Sequence, residues 1–187
     1  AIRSVARSCS HYGIQCFGVS RGYQGLIEGK IKPLGTRSVK NILNKGGTIL
    51  KSARSKEFLT KEGRLKAYES LKNQEINNLV VIGGDGSFTG GYIFEKEFGV
   101  SVVGIPGTID NDIFGTDSTV GYDTALNTVV EAIDKIRDTA ISHNRLFFVE
   151  VMGKDAGHIA LNTGIGIGAS EIPVSYTHLR AHETTSY

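Results

Sequence analysis

The sequence predicts an α/β protein, a three-layer, mostly parallel sheet with helices on both faces. Three observations predict it. Apolar runs of strand length, Leu79–Ile82 and Val102–Ile105, alternate with segments of helix length, the pattern of parallel strands joined by crossovers. Each run ends in a polar turn, Gly83-Gly84-Asp85-Gly86-Ser87 and Pro106-Gly107-Thr108-Ile109-Asp110-Asn111-Asp112. Glycine, 24 of 187 residues, exceeds its usual share of ~7% without a Gly-X-Y period, which signals tight backbone turns.

Element by element, Ile2, Val5, Ala6 and Cys9 share a helical face over residues 1–12. Gly13 ends that helix, and Ile14–Val19 reads as a short strand. Gly22, Gly25 and Gly29 mark loop. The basic stretch from Lys30 to Lys66 holds eleven Lys or Arg against Glu57 and Glu62, with a strand predicted at Thr48-Ile49-Leu50. Leu65, Tyr68 and Leu71 suit one face of a helix near residues 60–73. After strand Leu79–Ile82 and its turn, Phe88–Phe98 is helical, and strand Val102–Ile105 follows. Leu126, Val129, Val130, Ile133 and Ile136 form the apolar stripe of a helix from Asp123, its predicted N-cap, to Asp138. Leu146–Val151 reads as a strand and Gly157–Ala169 as a helix. There is no internal repeat and no clear second domain.

Composition narrows the function. A chain 40% hydrophobic and 21% charged buries a core, and a net charge of +2 does not call for nucleic acid or an anionic membrane. The basic stretch is poor in aromatic residues, which argues against base stacking. No run reaches the ~18 apolar residues of a membrane span. Cys9 and Cys16 are too few for a disulfide framework or a four-ligand zinc site and read as reduced packing residues. The five histidines form no metal-binding pair on a clear helix, and His178 and His182 fall in an unusual tail. No GxxxxGK[ST] loop is present, and Gly164-Ile165-Gly166-Ile167-Gly168 lacks a full dinucleotide fingerprint. The opening Ala1-Ile2-Arg3-Ser4 has neither an initiator Met nor a signal pattern and reads as a chain entered part-way along.

Ligands of open parallel sheets bind beyond the carboxyl ends of the strands, where both polar turns are expected. Converging backbone N–H groups and the positive end of the following helix attract an anion. Asp85 would repel a bare phosphate, but it suits a Mg²⁺ lying between carboxylate and phosphate oxygens. The plainer alternative is a capping Asp in a glycine-rich turn. Asp110 and Asp112 suit one general base and one metal-associated acid, with the Thr108 hydroxyl beside them. Their plainer alternative is Asx-turn capping of backbone groups. Arg54, at the end of the predicted strand, is the candidate phosphoryl-binding cation.

Taken together, the two turns resemble those of the phosphofructokinase family. The likeness continues through Gly46-Gly47-Thr48, Ser52-Ala53-Arg54, Gly115-Thr116-Asp117, Thr124-Ala125-Leu126, Arg137-Asp138-Thr139 and Val149-Glu150-Val151-Met152-Gly153, and covers residues 1–172. A lone Gly-Gly-Asp-Gly would not suffice, since NAD and lipid kinases share it. The resemblance implies phosphoryl transfer from ATP to the 1-hydroxyl of fructose 6-phosphate, a glycolytic step. Asp110 would accept the hydroxyl proton. Asp85 would hold Mg²⁺ with Asp112 near it. Thr108 would bind the sugar or the transferring phosphoryl, and Arg54 would stabilise phosphoryl charge in transit. Gly84, Gly86 and Ser87 would contact nucleotide phosphates, with Tyr23 by the nucleotide. Arg145 would reach the 6-phosphate, and Met152, Gly153 and Lys154 would line the sugar site. Lys154 stands where many relatives carry Arg, so a fork becomes a point charge there.

The resemblance also implies a cytoplasmic homotetramer, with no nucleic-acid or membrane partner, and an inter-subunit effector site to which Arg3, Arg7, Lys45 and Arg137 could belong. Gly86 and Gly107 stand where the pyrophosphate-using branch typically places Asp and Lys, which favours ATP as donor. Residues 1–173 are expected to be part of a nucleotide-binding catalytic domain lacking its first strand and its companion domain. On that expectation, the 187-residue chain alone folds poorly and turns over little. Residues 174–187 read as a non-native tail, like a translated adapter, and are set aside. The alternatives are another Gly-Gly-Asp-Gly kinase, acting on NAD or a lipid, and a catalytically silent nucleotide-binding regulatory subunit.

Overall fold

The computed structural model describes residues 1–153 and 155–173; Lys154 and the tail with His178 and His182 lie outside the described residues. The chain divides into two compact units, Ala1–Ile105 and Pro106–Tyr187.

In the first unit, helix α1 (Ile2–His11) gives way to Gly13 at φ +68°, a conformation glycine enters without steric cost. Strand β1 (Phe17–Val19) is shorter than predicted and pairs antiparallel with β2 (Ile31–Pro33), Gly18 opposite Lys32. Between them α2 (Gly22–Ile27) occupies the segment its glycines had marked as loop. Gly25 is there for close approach, because a Cβ would lie against the Ser20 carbonyl. The strand predicted at Thr48–Leu50 is absent. Thr48 instead closes a turn on itself, its Oγ1 accepting the Leu50 N–H at 3.3 Å and its carbonyl the Lys51 N–H at 3.2 Å.

A single 3₁₀ turn, Glu57–Leu59, precedes α3 (Lys61–Lys72), whose N-cap Thr60 accepts the Gly63 N–H at 3.1 Å. The buried face of α3 carries Arg64, Ala67 and Leu71, whereas Leu65, grouped with that face from sequence, is exposed. Then β3 (Asn78–Gly83), α4 (Asp85–Phe98) and β4 (Ser101–Pro106) form a βαβ unit. The Ser101 N–H bonds the Asn77 carbonyl at 3.2 Å, so the two strands start side by side and run parallel. The core gathers Leu26, Phe58, Ala67, Leu71, Phe94 and Val100. Aromatic rings run through it: Tyr23 stacks on Phe58 at 3.9 Å, Phe58 meets Phe94, and Phe98 joins Phe94 to Tyr68.

The second unit holds α5 (Tyr122–Ser142) and α6 (His158–Ile167). The apolar stripe of α5 is half-buried as its spacing predicts, but the helix is capped by Gly121 and not by Asp123. The two helices are joined near both ends. Tyr122 donates to the His158 carbonyl at 3.3 Å and accepts from Asn162 at 2.6 Å, while Arg137 donates to the Ile167 carbonyl. Leu146–Val151 forms no strand, and Leu146 and Phe148 are 77% and 79% exposed. An apolar run becomes a strand only where a neighbour completes its hydrogen bonds, and sequence periodicity does not supply that neighbour. The α/β class therefore holds, with the parallel sheet reduced among the described residues to β3 and β4, and β1 and β2 forming a separate antiparallel pair.

Candidate functional site

The first turn is built by the ending of β3. Gly84 is extended, at φ −106° and ψ −168°, and caps α4, its carbonyl accepting the N–H groups of Ser87 (3.0 Å) and Phe88 (3.1 Å). The N–H groups of Asp85 and Gly86 open the helix and have no partner within it, which is the geometry of an anion site. A Cβ at Gly83 would collide with Ser87 Oγ at 2.6 Å, so Ser87 folds back over the strand end. A Cβ at Gly86 would meet nothing within 4 Å, so the backbone there faces open space. Asp85 is exposed, and its carboxylate makes no hydrogen bond or ion pair among the described residues. A carboxylate beside free N–H groups matches the oxygen-rich surroundings of Mg²⁺ with phosphate. No cluster of three metal-ligating side chains exists among the described residues, so such an ion would take its remaining ligands from phosphate and water.

Tyr23 supports this turn from below. Its hydroxyl donates to the Ser87 carbonyl at 2.6 Å, its ring packs against Phe58 and the Gly90–Gly91 backbone, and burial pushes its phenol up to about 12. The resemblance implies that Tyr23 lies by the nucleotide; its hydroxyl bonds the turn itself. Arg54 is exposed in an irregular segment rather than at a strand end, and its guanidinium has no partner among the described residues.

The second turn belongs to the second unit. Thr108 Oγ1 accepts the Asp110 N–H at 3.1 Å, leaving its own hydroxyl hydrogen available to a ligand. Asn111 stands at φ +54°, a left-handed conformation that Asn enters more readily than most residues. Its Oδ1 accepts the Thr119 N–H at 2.8 Å and its Nδ2 donates to the Asp117 carbonyl at 3.4 Å. Gly121 lets this clamp close, since a Cβ there would lie 2.8 Å from Ile109 Cγ2 and 3.1 Å from the Thr108 carbonyl. Asn111 thus performs the capping that was the plain alternative for the two acids. The half-buried Asp110 and Asp112 make no side-chain hydrogen bond or ion pair among the described residues.

Neither Asn111 nor Gly121 was singled out from sequence. The signal for Asn111 was its place between two acids in a turn demanding positive φ. Thr119, also missed, is 2% exposed and its Oγ1 has no partner.

The remaining candidates stand apart from any ordered side-chain network. Arg145 is exposed, Met152 is 73% exposed, and Gly153 is buried at φ +150° in a turn closed by the Ala156 N–H at 3.2 Å.

In the first unit, a cavity of about 320 Å³ is lined by Arg3, Arg7, Thr36, Arg37, Val39 and Lys40, four cations with no acid among them. Arg3 and Arg7 both line it. Arg37 and Lys40 complete its cationic lining, which does not include Lys45. Arg137, in the second unit, holds the C-terminal end of α6 and lies 4.0 Å from Asp134.

Comparison with known proteins gives consistent matches. A family model described as Phosphofructokinase matches residues 1–184. The chain is 60% identical over 169 residues to ATP-dependent 6-phosphofructokinase 2 of Bacteroides thetaiotaomicron, covering 90% of this chain and 52% of that protein. It is 57% identical over 174 residues to ATP-dependent 6-phosphofructokinase 1 of Thermus thermophilus, covering 93% and 54% respectively. The solved structure of phosphofructokinase from Saccharomyces cerevisiae superposes with a TM-score of 0.86 at 41% identity, over 90% of this chain and 26% of that one. The chain therefore spans about half the length of the curated relatives it matches.

Proposed function

The chain belongs to the phosphofructokinase family, and we propose from that premise that the full-length protein transfers a phosphoryl group from Mg-ATP to the 1-hydroxyl of fructose 6-phosphate. The observation that carries this reading is the set of three unengaged carboxylates, Asp85, Asp110 and Asp112, in turns whose local capping is done by other groups.

Each residue has a distinct task. Asp110 accepts the proton of the attacking sugar hydroxyl, a contribution of about 10²–10⁴ in rate. Thr108 donates its free hydroxyl hydrogen to a sugar or phosphoryl oxygen. Arg54 neutralises charge on the phosphoryl in transit. The α4 N-terminus, through Gly84, Gly86 and Ser87, receives nucleotide phosphates, and Tyr23 fixes that N-terminus by its bond to Ser87. Asp85 would hold Mg²⁺, which would supply neutralisation of phosphate charge, and Asp112 is the metal-associated acid of the second turn. Arg145, Met152, Gly153 and Lys154 bind the sugar phosphate.

ATP is favoured over pyrophosphate because the space at Gly86 is open; a side chain of Asp size would occupy it. The cavity bearing Arg3, Arg7, Arg37 and Lys40 takes a phosphorylated effector. The protein is a cytoplasmic homo-oligomer, and sedimentation would report a tetramer. No helix among the described residues is long and apolar enough to cross a membrane.

Formation of fructose 1,6-bisphosphate by the full-length protein, followed in a coupled assay, tests the proposal. Turnover with Mg-ATP and fructose 6-phosphate is expected. Turnover with pyrophosphate but not ATP, phosphorylation of NAD or diacylglycerol instead, or ATP binding without sugar-phosphate turnover would overturn it.

A further inference from the structure

Contacts at successive residues dock the segment 119–121 against the turn that carries the two acids. The Thr119 N–H donates to Asn111 Oδ1 at 2.8 Å, and the Val120 N–H to the Pro106 carbonyl at 2.9 Å. Gly121 lies so close to Ile109 and the Thr108 carbonyl that a Cβ has no room. The Thr119 carbonyl accepts the Tyr122 N–H at 3.2 Å, which ties the same segment to the start of α5. Both backbone groups of Thr119 are therefore engaged. Its hydroxyl is not: Thr119 is 2% exposed, and Oγ1 has no hydrogen-bond partner among the described residues. A buried hydroxyl left unpaired costs stability, and a methyl in its place would carry no such cost. Thr119 is bonded to Asn111, whose chain neighbours Asp110 and Asp112 carry half-buried carboxylates that are also unpaired among the described residues.

We propose that Thr119 is a positioning residue for this turn: with the substrates bound, its hydroxyl donates to a carboxylate of the Asp110–Asp112 pair and holds that acid in its working orientation. This role rests on the phosphofructokinase reading of the two turns. A hydrogen bond to a carboxylate is charge-assisted and stronger than one between neutral groups. Formed only in the substrate-bound turn, it fixes the acid at the stage when orientation sets the rate, so its loss falls on kcat rather than on affinity. Thr119 touches neither substrate; it acts through the acid.

Kinetics and melting of the full-length protein test this with Thr119→Val, which replaces the hydroxyl by a methyl, and Thr119→Ser, which keeps the hydroxyl. Without ligands, Thr119→Val should melt at or above the parent temperature. With Mg-ATP and fructose 6-phosphate its kcat should fall about tenfold to 10²-fold, with both KM values within a few-fold of the parent, and Thr119→Ser should recover most of the loss. In a double-mutant cycle the loss should overlap with that of Asp110→Asn or of Asp112→Asn. A parental kcat in Thr119→Val, equal losses in the two variants, a lower ligand-free melting temperature for Thr119→Val, or losses additive with both acids would overturn the role and leave the kinase reading standing. Absence of turnover in the parent would remove the reading and the role together.

Discussion

Gly121→Ala should slow catalysis although Gly121 itself takes no part in the chemistry. Gly121 sits at φ −92° and ψ −13°, a conformation open to alanine, so the effect is purely steric. The added Cβ would stand 2.8 Å from Ile109 Cγ2 and 3.1 Å from the Thr108 carbonyl. Ordinary carbon contacts are ~3.5–4.0 Å, so the turn must move by about 0.7–1.2 Å. Overpacking of this kind costs about 1–3 kcal/mol. A reacting group misplaced by about 1 Å loses on the order of 10²-fold in rate, so kcat should fall between about tenfold and 10²-fold. Steady-state kinetics of the full-length protein, with thermal melting followed by circular dichroism, read both effects. Gly166→Ala is the control, since a Cβ at that exposed helical position meets nothing within 4 Å. Parental kcat and melting in Gly121→Ala would refute the reasoning that this glycine sets the position of the Thr108–Asp110 turn.

Gly86→Ala should behave in the opposite sense for stability. Alanine in the first turn of α4 meets no protein atom and gains up to about 1 kcal/mol of helix propensity, yet it fills the space proposed above for nucleotide phosphate. A melting temperature held or raised, with a KM for ATP increased several-fold, is expected; an unchanged KM would remove Gly86 from the phosphate site. Arg64→Met should expose a pH dependence. Arg64 forks onto Glu97 at 2.6 and 2.8 Å and also donates to the Leu59 carbonyl at 2.8 Å. This hydrogen-bonded pairing holds the Glu97 carboxyl below its ordinary value of 4.5. Because the folded value is the lower one, the stabilisation is present above the ordinary value and is lost as pH falls through the folded value. The melting gap between parent and Arg64→Met should therefore be widest near neutral pH and narrow in acid; a gap that does not narrow would contradict the pairing.

The long periodic or continuous apolar segments were legible in the sequence because their signal is local. Leu79–Ile82 became β3 and the Leu126–Ile136 stripe became the half-buried face of α5, within a residue or a few at the ends. What failed depended on distant backbone. The Gly25 helix was hidden because its glycine answers to the Ser20 carbonyl and not to a turn. Thr48–Leu50 lost to a side-chain-closed turn, and Leu146–Val151 had strand composition without a strand partner. In the site, the acids were readable as residue types. Their unengaged state was not, because it required knowing that Asn111 bonds Thr119 across the loop. Lys45 was placed by position along the family's pattern, and only the folded surface reveals Arg37 and Lys40 beside Arg3 and Arg7.

The most direct test of the account is the steady-state rate of Asp110→Asn in the full-length protein with Mg-ATP and fructose 6-phosphate. An amide keeps the shape of the turn but cannot take a proton, so kcat should drop by about 10²–10⁴ while both KM values stay within a few-fold of the parent. A parental kcat in this variant would contradict the assignment of Asp110 as the base.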